Sequence, residues 1–172
     1  NAVHMVGGRP VPVDVRSDDF TLSPEQTEAA ITRKTKAIIV VHVNGRAVDL
    51  AAFQALRGKT GLPIIEDTAQ GLGSKSGERY LGTIFDMAAI SLAPSKIIST
   101  GQGGLVITND RTLHDNVVRL KDHGRLARSD SFHPVPGHNY KFTDLQAAVG
   151  LAQFDKLPQR LEKAKRDHRF YR

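Results

Sequence analysis

Cysteine is absent from the 172 residues. Disulfides and thiolate metal sites are therefore excluded from this stretch, a composition that suits a cytoplasmic protein. No run approaches the ~20 apolar residues needed to span a bilayer, so no membrane partner is expected. There is also no internal repeat and no low-complexity segment. The chain opens at Asn1 with no initiator Met, charged leader or apolar signal segment. It reads as the middle of a longer gene product, and a missing leader in such a piece carries no information on export. What is present suffices for one domain with a genuine hydrophobic core.

Acidic residues are in deficit: 24 Lys and Arg face 18 Asp and Glu, a formal charge of +6. Basic proteins often bind polyanions. Here the densest basic stretch, Arg160 to Arg169, has Glu162 and Asp167 interleaved, which describes a solvated helix face. No nucleic-acid motif accompanies the charge, so no nucleic-acid partner is expected.

Apolar runs alternate with helical signals. Val11 to Val15 reads as a short strand. Ser23-Pro24-Glu25-Gln26 is a helix start, with Ser as N-cap and Pro at the first helical position, running to about Ile31. Lys36 to His42 is a continuous apolar run expected to form a buried parallel strand. Asp49 to about Arg57 is a helix closed near Gly58 or Gly61, and Pro63 to Glu66 is the next strand. Ser74 to Gly82 has the glycines and polar tip of a hairpin or loop. Met87 to Leu92 and Leu105 to Thr108 are strands, and Asp110 caps a helix reaching Lys121. His123 to His138 is a long loop, of a length that is usually functional or mobile. Thr143 to about Leu157 is helical, Pro158 breaks or kinks it, and a second helix follows. The alternation predicts an α/β architecture, a mostly parallel sheet flanked by helices with right-handed crossovers.

Ligands of such sheets bind beyond the carboxyl ends of the strands, and there the chemistry-bearing residues fall. One apolar run ends in Glu66-Asp67-Thr68-Ala69-Gln70. Another ends in Ile90-Ser91, with Lys96 five residues on and the turn Gly101-Gln102-Gly103-Gly104 beyond. Singly, these are a turn-capping acid, a tolerated strand serine and a solvated lysine. Together they supply a carboxylate for a ring nitrogen, a hydroxyl for a phosphate and an amine for a Schiff base. That is the equipment for pyridoxal phosphate (PLP).

These motifs resemble the DegT/StrS-type PLP-dependent sugar aminotransferases. The likeness runs through Glu66 to Gly73, Ile90-Ser91 with Pro94-Ser95-Lys96, and Gly101 to Asp110. It continues through Lys121-Asp122-His123-Gly124 and Gly137 to Ala148. The opening, Gly8 to Val15 and Thr35 to His42, also looks like that family. The resemblance implies the large domain of a fold-type I PLP enzyme, N-terminally incomplete over residues 1–157. Residues 158–172 would be a helix leading toward a missing C-terminal domain.

Carried over by position, Asp67 matches the acid that pairs with the pyridine nitrogen and Gln70 the residue beside the cofactor's phenolic oxygen. Ser91 matches a phosphate ligand. Lys96 matches the Schiff-base lysine, which also shuttles the proton during transamination. Asn139 matches a residue that reaches the phosphate in a neighbouring subunit's site, implying a homodimer. His42 closes a strand and is read as structural. Family members usually take the amino group from glutamate and place it on a keto sugar linked to a nucleotide, and a basic surface suits that anionic substrate. Relatives with His in place of the lysine perform a deoxygenation, which Lys96 argues against.

Two other readings differ in class. A non-catalytic, truncated remnant would at most bind PLP. A dinucleotide-binding protein would need its glycine turn to follow a strand and open a helix, whereas Gly101 to Gly104 follows a lysine and precedes a strand.

Overall fold

The computed structural model describes residues 1–127 and 129–171. Its elements in chain order are α1 (Ala2–Met5), α2 (Pro24–Ala30), β1 (Ile38–Val41), α3 (Leu50–Thr60), β2 (Ile64–Asp67), β3 (Lys75–Ser76), β4 (Arg79–Tyr80), β5 (Met87–Ser91), β6 (Gly104–Ile107), α4 (Arg111–Leu120), α5 (Asp144–Phe154) and α6 (Leu157–Phe170). Four strands form one sheet in the order β1-β2-β5-β6, and β3 and β4 form a separate hairpin. β1, β2 and β5 run parallel, and β6 closes the sheet antiparallel to β5. The carboxyl ends of the three parallel strands therefore lie at one end of the sheet.

Local chemistry starts the helices as the sequence indicates. The side chains of Ser23, Asp49, Asp110 and Thr143 each accept the backbone N–H three residues on. These bonds satisfy amides that a helix N-terminus leaves without partners. At Thr143 the cap is reciprocal, since Gln146 reaches back to the Thr143 backbone. Helix α3 puts Phe53 and Leu56 against Ile38, Val40, Val48 and Ile64 to form the main core. A second cluster joins Leu92, Ile98 and Leu157, with Leu72, Ile97 and Leu161 packed beside it.

Three features depart from the sequence expectations. Val11 to Val15 is not a strand; Val15 makes a single bridge to Leu22. Pro10 and Pro12 lack the N–H that a ladder needs. Pro158 does not interrupt a helix but sits in the first turn of α6, where a missing N–H costs nothing. The run from Lys36 to His42 yields a shorter strand buried on one face only. Ile38 and Val40 are buried, whereas Ile39 and Val41 are each 43 % exposed. Their neighbours in register are Ile65 and Asp67, followed by Met87 and Ala89 of β5. This second face of the sheet carries no covering helix among the described residues.

The stretch after α4 folds back on itself. His123 N–H donates to the His138 carbonyl, His138 N–H to Leu120 and Tyr140 N–H to Lys121. Asp122 and Asn139 pair as an antiparallel bridge. Gly124 and Gly137 cross at the neck so closely that a Cβ on either would collide with backbone, on the Val135 carbonyl and the Gly124 amide respectively. The long loop expected between His123 and His138 is thus a closed loop with a pinned neck.

Candidate functional site

Asp67 is the last residue of β2 and Ser91 the last of β5. Asp67 stands beside Ala89, two residues short of Ser91. Side chains two apart on a strand share a face, so both project from the open face of the sheet. With strands ~4.8 Å apart and a rise of ~3.3 Å per residue, their Cα atoms are roughly 8 Å apart. That spacing matches a six-membered ring with a phosphate arm, the acid at one end and the hydroxyl at the other.

The Asp67 carboxylate is held by its Oδ1, which accepts the Ala69 N–H at 3.0 Å. The Asp67 carbonyl accepts the His42 N–H at 3.0 Å. Ser91 Oγ accepts the Ala93 N–H at 3.3 Å, leaving its own O–H free to donate. Gln70 is exposed, and its Oε1 accepts the Asn44 N–H at 2.8 Å. Asn44 lies in a tight turn with left-handed backbone, φ 52°. The Gln70 side chain thereby bridges the chain after β2 to the turn after β1, with its NH2 group left to donate.

Lys96 lies in a loop that Leu92 closes. Leu92 N–H donates to Gly103, and the Leu92 carbonyl accepts from Thr100 N–H and Ser99 Oγ. Lys96 N–H donates to Ala93, and the residue is half-buried. The second core cluster supports the loop from below, and Arg160 Nη1 of α6 binds the Ile97 carbonyl at 2.6 Å. Among the described residues no hydrogen bond or ion pair engages the Lys96 ammonium. Asp67, Gln70, Ser91 and Lys96 therefore gather at one end of the sheet.

Asn139 does not join them. It is exposed beside the loop neck, and no described hydrogen bond connects it to the other four. Its surroundings are basic. Asp122 Oδ1 accepts both Lys141 Nζ and Arg125 Nη2 at 2.7 Å. Those two hydrogen bonds hold the Asp122 carboxyl down at about 2. One cleft is bounded by Val118, Asp122, Leu126 and Lys141, another by Thr108, Asp110 and His114, and neither includes the four gathered residues.

One residue at this end of the sheet was missed by sequence reasoning. Glu66 precedes Asp67 and points to the opposite, covered face, where it is fully buried. Its Oε1 accepts the N–H groups of Ile84 and Phe85, and its Oε2 accepts Gly82 N–H and His42 Nε2 at 2.9 Å. Burial, the largest single influence, pushes the carboxyl up. The bonds from His42, Phe85, Gly82 and Ile84 together outweigh it and hold the group below its ordinary value. The only sequence signal was a carboxylate inside an otherwise apolar run.

Among the described residues no cluster of His, Asp and Glu could hold a metal ion, and no helix is long and apolar enough to cross a membrane. The residues present do fit PLP. A carboxylate with one oxygen anchored, a hydroxyl free to donate and an uncommitted amine share one strand-end surface.

Comparison with known proteins bears on the same residues. All of residues 1–172 match the DegT/DnrJ/EryC1/StrS aminotransferase family. GDP-perosamine synthase of Escherichia coli O157:H7 is 38 % identical over 156 residues, covering 91 % of this chain and 43 % of that protein. A dTDP-3-amino-3,4,6-trideoxy-alpha-D-glucose transaminase of Micromonospora megalomicea subsp. nigra is 38 % identical over 149 residues, 86 % of this chain and 40 % of that one. A DegT DnrJ EryC1 StrS aminotransferase crystal structure from Brucella abortus superposes with a TM-score of 0.92 at 34 % identity. It covers 98 % of this chain and 47 % of its own. The chain thus spans less than half the length of the curated relatives it matches.

Proposed function

Because the chain belongs to the DegT/DnrJ/EryC1/StrS aminotransferase family, we propose that it forms the cofactor-bearing centre of a PLP-dependent aminotransferase acting on a nucleotide-linked sugar. The amino group passes from an amino acid, glutamate, to a keto carbon of the sugar. The observation that carries this reading is the placement of Asp67 and Ser91 on one open face at adjacent parallel strand ends, with Lys96 in the loop that follows. The names of the relatives, a GDP-sugar synthase and a dTDP-sugar transaminase, support the substrate class.

PLP, when bound, supplies a carbonyl that takes up amines and a ring that withdraws electrons from the reacting carbon. The Asp67 carboxylate would hold the ring nitrogen and keep its proton there, since a nearby negative charge favours the charged form. Ser91 Oγ donates to the phosphate. Gln70 donates its amide to the phenolic oxygen while its carbonyl stays on Asn44. Lys96 Nζ attaches the cofactor. The same nitrogen, when not attached, would be the group that takes up and gives back a proton at the reacting carbon.

Asn139 belongs, in this reading, to the site of a second subunit, where it donates to the phosphate across a homodimer interface. Residues 1–157 form the PLP-binding domain, and residues 158–172 lead toward a C-terminal domain. Such an enzyme works in the cytoplasm.

The test is Lys96→Ala in the full-length protein. Borohydride reduction followed by peptide mapping should find the cofactor on Lys96 in the parent and on no lysine in the variant. The variant should still bind PLP non-covalently and lose transamination. Labelling of a different lysine in the variant would overturn the assignment.

A further inference from the structure

The strand that ends in Asp67 also carries the most enclosed carboxylate among the described residues, one position earlier on the opposite face. Glu66 and His42 are both 0 % exposed. A carboxylate offers about four acceptor positions, and Glu66 fills them in pairs. Oε1 takes Ile84 and Phe85 N–H at 2.8 and 2.9 Å; Oε2 takes Gly82 N–H at 2.8 Å and His42 Nε2 at 2.9 Å. The far side of the imidazole is also used, because Val48 N–H points at Nδ1 at 3.4 Å. With Nδ1 accepting, the ring proton resides on Nε2 and is donated to Glu66.

These bonds tie together three segments that the fold brings to the site. His42 is the residue that follows β1. Gly82 to Phe85 form the turn that leads into β5, the strand bearing Ser91. Glu66 itself is bonded to Asp67, so fixing its side chain on the covered face fixes the backbone from which Asp67 projects on the open face. Strand ends are otherwise prone to fray, and a loosely held acid serves a reacting ring poorly, since productive geometry requires supporting groups that lock the acting one.

We propose that Glu66, clamped by His42 and the amides of Gly82, Ile84 and Phe85, is the positioning residue that aims Asp67 at the cofactor ring. This rests on the reading of Asp67 given above. Glu66 touches neither cofactor nor substrate and acts through its neighbour alone.

A double-mutant cycle in the full-length protein tests the coupling, with PLP affinity of the apoprotein as readout. Residues that share one network are non-additive. Glu66→Gln should weaken PLP binding at least about fivefold when Asp67 is present, a middling coupling for groups in one network. In the Asp67→Asn background the same change should cost less than about twofold, because nothing is left to aim. Hydrogen exchange on the apoproteins supplies a second reading. The Ala69 amide, which bonds Asp67 Oδ1, should exchange faster in Glu66→Gln.

Equal losses in both backgrounds, or an Ala69 amide as protected as in the parent, would show Glu66 to be structural only and overturn the proposal while leaving the role of Asp67 standing. An Asp67→Asn protein that binds PLP as the parent does would overturn both. If Glu66→Gln fails to fold, His42→Asn takes its place in the same cycle, since it removes one of the four donors and leaves three.

Discussion

Asp67 divides its carboxylate between two tasks. Oδ1 is committed to the Ala69 amide, while Oδ2 has no partner among the described residues and remains for a ligand. Asp67→Asn keeps the size and the bond to Ala69 but removes the charge that, in the proposed function, holds a ring proton. A charge-assisted hydrogen bond contributes roughly 1.5–3 kcal/mol, so the transamination rate should fall at least about tenfold. Single-turnover kinetics of the full-length variant would measure it, and a rate within about twofold of the parent would remove Asp67 from this role. The positions of Asp67 and Ser91, with Lys96 in the loop after the second, were legible in the sequence because Asp67 and Ser91 each close an apolar strand run. Glu66 was not. Its four donors lie 16 to 24 positions away along the chain, and only the parallel pairing of β1, β2 and β5 brings them together.

Elements whose boundaries rest on local bonds were equally legible. Ser23, Asp49, Asp110 and Thr143 each bond an amide three residues on, an interaction written in sequence spacing. Val11 to Val15 does not extend as a strand because Pro10 and Pro12 remove ladder donors, and only Val15 finds a partner, Leu22. The strap after α4 makes a prediction at this scale. Lys141 and Arg125 hold the Asp122 carboxyl at about 2, against an ordinary value of ~3.9. A depressed folded-state value means that the stabilisation is fully present above about pH 4 and disappears as pH falls through about 2. Asp122→Asn should therefore lower the Tm at neutral pH, and the gap to the parent should close between about pH 4 and pH 2. A gap that stays constant across that range would disconnect the carboxylate from stability.

For the whole molecule, the sequence indicated a mostly parallel sheet but not the asymmetry of the sheet's two faces. An apolar run such as Ile38 to Val41 looks the same whether one face is covered or both. Ile39, Val41 and Val106 lie uncovered on the sheet, and Leu145, Leu151 and Phe154 on α5, at 43 to 83 % exposure. If the full-length protein is a dimer with shared sites, mixing Lys96→Ala and Asn139→Ala subunits will restore part of the activity. Each mixed dimer then carries one doubly damaged site and one intact site. Asn139→Ala must be impaired alone for the comparison to have force. No recovery despite demonstrated subunit exchange would place Asn139 in its own subunit's site or in none.

The crossing of Gly124 and Gly137 has a bearing on how this chain tolerates change. Backbone meets backbone there with no space for a side chain, so the path in and the path out are fixed independently of what lies between them. Between the two glycines the chain touches its surroundings again through Arg125, bonded to Asp122, and through Leu126, which shares a cleft with Val118. An exposed residue away from those contacts, such as Phe132, can change without disturbing the sheet that carries Asp67 and Ser91. A change at either glycine has no such freedom, because it would spring the neck and misplace the segment bearing Asn139.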